Sequence, residues 1–311
     1  MSCFTREEML SKKIGVLLGG LSAEREISLK TGNASLRALQ HLGYDAVAID
    51  VKKNLPQQLA EASIEIAFVA LHGRFGEDGR VQGLLEMLQI PYTGSGVLAS
   101  SLAIDKVMTK QLLLYHQLQT PKFDFMRPGD LASDLLQRCE HLPVVVKPSR
   151  EGSTIGITIA KSREVLESGI EMAAALDGTV LVEDFIDGTE LTVSVVDGAA
   201  LPIIQIVPKS GFYDYQAKYT SGETEYLLPA PIDAENYQLV QQAAIKACRV
   251  LGCRGAARVD FMFCEGEFYC IEVNTIPGMT ETSLLPKAAQ AAGITFPQLA
   301  EMILLDAGLD K

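Results

Sequence analysis

A chain of 311 residues, 48% hydrophobic and 21% charged, is long enough for about two or three domains with substantial cores, and its composition excludes a disordered protein. Its 27 basic against 39 acidic residues leave a formal charge of −12, which argues against nucleic-acid partners while permitting a local basic pocket for an anionic substrate. The six cysteines form no CxxC pair, the Met1-Ser-Cys-Phe-Thr-Arg-Glu-Glu8 start has no apolar h-region, and no run approaches a membrane span, so the expectation is a soluble cytoplasmic protein with free thiols and no membrane contact.

Lys13-Ile-Gly-Val-Leu-Leu18 reads as a buried strand by its apolar run, ending in Gly19-Gly20-Leu-Ser22-Ala-Glu24-Arg25-Glu26. Ser22 is the expected N-cap of a helix that carries Ile27, Leu29, Leu36 and Leu39 at helical spacing. Gly-Gly-Leu-Ser is neither G-x-G-x-x-G nor a Walker A sequence and carries little support for dinucleotide binding. Residues 44–50 and 66–71 read as further strands with a helical segment between them, an alternation that implies a parallel sheet with ligands at the strands' carboxyl ends. Glu24 lies in such a loop, either as a helix-dipole partner or as the ligand of a substrate ammonium. His72, in His72-Gly-Arg-Phe-Gly-Glu-Asp-Gly79, is either a positioned core histidine or a substrate-binding group.

Pro91-Tyr-Thr-Gly94-Ser-Gly96 marks a first domain boundary, and a helix over 100–119 bearing Asp105-Lys106 follows. Leu142-Pro-Val-Val-Val-Lys147-Pro148 is a strand that ends on a lysine and enters Ser149-Arg-Glu-Gly152-Ser153-Thr154-Ile-Gly156. An ammonium beside hydroxyl and backbone N–H donors suits a phosphate, although such a loop is also an ordinary turn-rich connection. Thr179-Val-Leu-Val-Glu183-Asp-Phe-Ile186 and Glu190-Leu-Thr-Val-Ser-Val-Val196 are strands joined by a tight turn at Asp187-Gly188. The polar and aromatic stretch over 208–222, bounded by Pro208 and Gly222, has the composition of a lid.

The strongest chemical signal is a hairpin. Gly255-Ala-Ala-Arg258-Val-Asp260-Phe-Met-Phe and Cys270-Ile-Glu272-Val-Asn274-Thr-Ile-Pro277-Gly278-Met279-Thr280 each alternate polar with apolar residues, joined through Cys264-Glu-Gly-Glu-Phe268. With a three-residue loop, Cys264 faces Phe268, Asp260 faces Glu272 and Arg258 faces Asn274. A register differing from that needs a bulge to keep the polar heads together. Asp, Glu and Asn offer the hard oxygen ligands that Mg²⁺ prefers, too few for an all-protein cage, so waters and substrate phosphates would complete the shell. The Arg beside them suits negative charge developing in a reaction. The hairpin therefore reads as a metal-phosphate site. Beyond it, Ser283 in Thr282-Ser283-Leu-Leu-Pro286 is a candidate anion ligand at the start of a closing helix.

Taken in order, Gly-Gly-Leu-Ser-Ala-Glu-Arg-Glu, His-Gly-Arg-Phe-Gly-Glu-Asp-Gly, Val-Lys-Pro-Ser-Arg-Glu-Gly-Ser, Tyr-Asp-Tyr-Gln-Ala-Lys-Tyr and Glu-Val-Asn-Thr-Ile-Pro-Gly-Met-Thr resemble the D-alanine–D-alanine ligase family of the ATP-grasp superfamily, from about Lys13 to the C-terminus. The resemblance implies an α/β, three-domain ATP-grasp architecture: an N-terminal parallel α/β substrate domain (1–95), a central domain (96–188) and a C-terminal domain with metal site and lid (189–311), with ATP between the last two. It implies ATP-driven joining of two D-alanines through an acyl phosphate, for peptidoglycan synthesis, by a homodimer that uses about two Mg²⁺ or Mn²⁺ ions.

By that resemblance Asp260, Glu272 and Asn274 hold the metal, Lys106 and Lys147 contact phosphates, and Glu183 and Glu190 contact adenine and ribose. Ser153 belongs to the phosphate loop and Lys218 to the lid. Glu24 holds the first ammonium in a set with Ser153 and Tyr219, while Arg258 and the Gly278 N–H stabilise the oxyanion. Ser283 and the Leu284 N–H clamp the second carboxylate. Tyr219 further implies a dipeptide rather than a depsipeptide product. Another ATP-grasp ligase would share the hairpin and lysines but lack the Glu24/Ser153/Tyr219 set. A kinase would need no second-carboxylate clamp, and a regulator without chemistry would lack a metal ligand or Arg258.

Overall fold

The computed structural model describes residues 4–152, 154–209, 223–280 and 282–311, so Ser153, Lys218, Tyr219 and most of the 208–222 stretch lie outside the described residues. The described chain builds three sheets. Strands β1 (Lys13–Gly19), β2 (Asp45–Val51) and β3 (Ile66–Val69) are parallel in the order β2-β1-β3, as the alternation of apolar runs and helical segments requires. The helix between β1 and β2 spans Arg25–His41, and its N-cap is Glu24 rather than Ser22. Ser22 is drawn elsewhere: its Oγ donates to the His72 carbonyl at 2.7 Å and accepts from Glu24 N at 3.2 Å. Both glutamate and histidine loops thus meet at the carboxyl end of this sheet.

Beyond residue 100 the sheets are antiparallel. Strands β4 (Phe123–Met126), β5 (Val144–Pro148), β6 (Thr158–Ala160) and β7 (Val180–Asp184) run in the order β4-β7-β5-β6. Strands β8 (Thr189–Val196), β10 (Ile204–Pro208), β11 (Thr224–Leu227), β12 (Ala256–Cys264) and β13 (Glu267–Asn274) form β11-β10-β8-β12-β13, with β9 (Ala199–Ala200) paired to β8.

The helix expected over 100–119 is two helices, Val97–Ile104 and Lys106–Tyr115, broken at Asp105. Asp105 has an extended backbone (ψ 98°) and its carboxylate accepts from Met108 N, so it caps the second helix. Ala103 and Leu113 pack with Leu191, Val193, Val259 and Phe261, which seats this helix pair on the six-stranded sheet. The closing helices Leu284–Ala291 and Phe296–Leu305 return to the first sheet, where Leu285, Ala289, Leu299 and Leu304 share a core with Val16, Leu39 and Phe68. Each such aliphatic side chain contributes about 1.5–3 kcal/mol on burial. The chain's last third is therefore fastened to its first. No helix among the described residues is long and apolar enough to cross a membrane.

The hairpin departs from expectation in one detail. Its turn has two residues, Glu265 (φ 52°) and Gly266 (φ 83°), the left-handed pair that matches strand twist, so Cys264 faces Glu267 rather than Phe268. Continued along β13, that register would place Glu272 opposite the fully buried Val259. A bulge between Asp260 and Phe261 absorbs Ile271 on the opposite strand and restores Asp260 to Glu272 and Arg258 to Asn274.

Candidate active site

A cavity of about 720 Å³ opens where the first sheet, the β12–β13 hairpin and the Leu284–Ala291 helix meet. Glu24, His72, Lys106, Arg258, Glu272, Asn274, Gly278, Ser283 and Leu284 all line it. Residues separated by most of the chain thus converge on one volume, whereas Lys147, Glu183, Glu190 and Asp260 are not among the residues that line it.

The hairpin face forms the charged wall. The Asp260 carboxylate is buried and accepts from Thr192 Oγ1 at 2.6 Å, from Arg258 Nε and Nη2 at 2.9 Å each, and from Asn274 Nδ2 at 3.2 Å. Thr192 reaches it because β8 pairs with β12 in a register that sets Thr192 directly beside Asp260. Glu272, opposite Asp260, lies near Lys106, with Nζ 3.5 Å from Oε2. Two carboxylates and one amide on neighbouring positions fit a hard divalent cation that takes its remaining ligands from phosphate and water. No group of three or more His, Cys, Asp or Glu suited to a metal occurs among the described residues. Arg258 pairs with Asp260, and Lys106 faces Glu272.

Lys106 stands on the helix seated on the six-stranded sheet, and Lys147 on a strand of the second sheet. Lys106 is buried at the first turn of its helix, and its Nζ donates to Glu151 O at 2.8 Å. Ser149 ties that helix to the loop after β5, donating to Asp105 at 2.9 Å and accepting Lys106 N on its carbonyl. Lys147 at the end of β5 pairs with Glu183 on β7. A further lysine, Lys110, completes the group: it is fully buried, 2.6 Å from the other Glu183 oxygen, and donates to Thr120 Oγ1. Burial opposes the Glu183 charge, but the two ammonium groups outweigh it and hold the carboxyl below its ordinary value. Burial pushes the Lys110 ammonium down, with Glu183 opposing. Glu183 is thus engaged on both oxygens with lysines, and Glu190, partly buried on β8, lies beside Met262 of β12.

At the opposite end, the Glu24 carboxylate fits between two glycines. A Cβ on Gly73 or Gly152 would lie 2.5 or 3.0 Å from Glu24 Oε2, so a side chain at either position would press on the Glu24 carboxylate, and Gly73 also holds a left-handed φ of 67°. His72 is buried, its Nε2 3.0 Å from Thr31 Oγ1 and its Nδ1 3.9 Å from Glu77 Oε1. Ser283 is the N-cap residue of the closing helix but makes no cap bond. Instead its Oγ accepts from Thr280 N at 3.0 Å and pairs with Thr280 Oγ1 at 2.7 Å, next to Gly278. A hydroxyl at a helix start, with Leu284 also lining the cavity, suits a carboxylate.

The sequence reading passed over Lys110, Thr192, Glu77 and Thr31. Lys110 stands one turn after Lys106 on the same helix, a spacing that places the two on one face and that the sequence already offered. Thr192 shares its strand face with Glu190, two residues away, and only the β8–β12 register couples it to Asp260.

Residues 114–305 match the family model for the D-ala D-ala ligase C-terminus, and residues 54–95 match that for the D-ala D-ala ligase N-terminus. The chain belongs to the D-alanine–D-alanine ligase family. It is 59% identical over 306 residues to the D-alanine–D-alanine ligase of Syntrophotalea carbinolica, covering 98% of this chain and 99% of that protein. With the D-alanine–D-alanine ligase of Geobacter sulfurreducens the identity is 49% over 307 residues, 98% of this chain and 97% of that one. Among solved structures, the D-alanine–D-alanine ligase from Bacillus anthracis complexed with ATP superposes with a TM-score of 0.83 at 37% identity, covering 94% of this chain and 96% of that one. A second structure of the Bacillus anthracis ligase gives 0.83 at 40% identity. The fold of this D-alanine–D-alanine ligase family member is accordingly the α/β ATP-grasp fold.

Proposed function

We infer that this chain catalyses the ATP-dependent joining of two D-alanines to D-alanyl-D-alanine, giving ADP and phosphate, in cell-wall peptidoglycan synthesis. The observation that carries the reading is that one cavity is lined by Glu24, by the Arg258–Asn274 and Glu272 positions of the hairpin, and by Gly278 and Ser283.

The first D-alanine's carboxylate oxygen attacks the γ-phosphorus of ATP, ADP leaves, and an acyl phosphate forms. The amine of the second attacks the acyl carbon, loses a proton, and phosphate departs with the former carboxylate oxygen. Glu24 orients the first ammonium, in a set with Ser153 and Tyr219, and His72 flanks that subsite. Ser283 and the Leu284 N–H hold the second carboxylate. Arg258 and the Gly278 N–H meet the oxyanion of the tetrahedral intermediate. Lys106, Lys147 and Ser153 position the phosphates and Lys218 covers them, while Glu183 and Glu190 belong to the adenine and ribose side. Asp260, Glu272 and Asn274 would hold Mg²⁺ or Mn²⁺, which supplies charge neutralisation for phosphoryl transfer. The chemistry of that donor set and the Arg258 counter-charge on Asp260 support this assignment.

The division into an N-terminal (1–95), a central (96–188) and a C-terminal (189–311) unit is supported by the sheet order, with ATP between the latter two. The helices Val97–Ile104 and Lys106–Tyr115 cross over to pack on the C-terminal sheet. A homodimer is supported by exposed Met87 and Leu98 on neighbouring helices, and a cytoplasmic location by the need for ATP and the free cysteines. The negative net charge supports small-molecule rather than nucleic-acid partners.

Incubation with ATP, Mg²⁺ and D-alanine should release phosphate only when D-alanine is present, with D-alanyl-D-alanine found by mass. D-Lactate as competing acceptor should give little depsipeptide. Phosphate without dipeptide would replace the reading with another acceptor or a kinase.

A further inference from the structure

Thr31 lies on the buried side of the Arg25–His41 helix, 1% exposed, and its Oγ1 touches two parts of the site at once. It accepts from Met279 N at 3.3 Å, the residue after Gly278, and it lies 3.0 Å from His72 Nε2. An N–H can only donate, so the Met279 bond occupies one lone pair of the hydroxyl. The hydroxyl proton then needs an acceptor, and His72 Nε2 is the one protein acceptor bonded to Oγ1 among the described residues. A ring nitrogen that accepts carries no proton, so the proton of the neutral imidazole sits on Nδ1. That nitrogen faces Glu77, whose Oε2 is fixed by Gly73 N at 2.7 Å, and both His72 and Glu77 line the cavity.

We propose that Thr31 is a positioning residue that fixes His72 in its Nδ1–H tautomer and, with the same hydroxyl, anchors the Gly278–Met279 loop. One side chain on the first sheet's helix thereby sets a donor on the Glu24 side of the cavity and the backbone of the residue after the oxyanion donor on the other. Since one hydroxyl serves both the Met279 N–H and the imidazole, its loss removes both constraints together. The catalytic consequence rests on the ligase reading; the tautomer does not.

The test is ¹⁵N–¹H NMR of the histidine rings in the full-length protein, with His72 assigned by its disappearance in His72→Gln. The wild type should show an unprotonated Nε2 and a protonated Nδ1. Thr31→Val, nearly isosteric, should lose that signature and lower kcat for dipeptide formation about 10- to 100-fold, the range for removing a partner that orients a functional group, with a smaller change in the ATP KM. Thr31→Ser should restore the signature and most of the rate. A wild-type Nε2–H tautomer overturns the proposal, as does a Thr31→Val protein that keeps both the Nδ1–H signature and the wild-type kcat. The wild-type spectrum decides even if Thr31→Val fails to fold. A wild type that makes no dipeptide would refute the ligase reading while leaving the spectrum to decide the hydrogen bond.

Discussion

Glu183 illustrates how charge is distributed at this site. Its carboxylate sits 3% exposed between Lys110 and Lys147, themselves buried, so one negative group holds two positive ones where water cannot. Removing a partner from a buried ionic group typically costs about 3–5 kcal/mol, because a charge is left uncompensated. Glu183→Gln should lose stability of that order in urea denaturation at neutral pH, and a loss below about 1 kcal/mol would contradict the pairing. Arg258 is set differently, with its guanidinium on Asp260 at the cavity wall. Arg258→Gln should lower kcat about 10²- to 10³-fold, as loss of one oxyanion donor does, while ATP binding by calorimetry changes much less. Equal losses in both would assign Arg258 to ATP binding instead.

Elements carry these residues into place, and here legibility in the sequence was uneven. Period-two alternation in the two hairpin arms sufficed to put Arg258, Asp260, Glu272 and Asn274 on one face. The turn did not follow, because Cys264-Glu-Gly-Glu-Phe268 accommodates either a two- or a three-residue loop, and a bulge at Ile271 gives the same pairing of Asp260 with Glu272. Lys110 escaped notice because a helical lysine is ordinarily solvated, and only its contact with Glu183 on a distant strand marks it as buried. Thr31 and Thr192 act through contacts between distant segments, which no local pattern encodes.

The loop after β5 is pinned by an element of its own. Arg150 donates to Asp177 through its backbone N at 2.9 Å and its guanidinium at 2.6 Å. Burial works against the Asp177 charge, but Arg150 outweighs it and holds the carboxyl below its usual value. A carboxylate depressed in the folded state stabilises the fold above its unfolded value, about 3.9, and that contribution fades as pH falls through the lower folded value. Asp177→Asn should therefore be less stable than wild type by about 1–3 kcal/mol at pH 7, the cost of disturbing a buried acceptor. The gap should narrow only below about pH 4. A gap that closes already at pH 6 would assign the stabilisation to another group.

At the scale of the whole molecule, the closing helices share the core of the first sheet, so the Ser283 corner and the Glu24 loop are parts of one packed body. The hairpin and the Lys147 strand belong to the other two sheets, and Lys106 to the helix packed against the hairpin's sheet. A cavity that gathers the first sheet's loops, the hairpin and the loop after β5 suits a reaction that must hold its substrates together, since positioning supplies much of the rate in phosphoryl and acyl transfer. The measurement that tests this most directly follows oxygen. D-alanine labelled with ¹⁸O in its carboxylate, turned over with ATP and Mg²⁺, should yield phosphate carrying one labelled oxygen for each D-alanyl-D-alanine formed, because the acyl phosphate hands that oxygen to phosphorus. Unlabelled phosphate alongside dipeptide would contradict an acyl phosphate, and labelled or unlabelled phosphate without dipeptide would contradict the ligase.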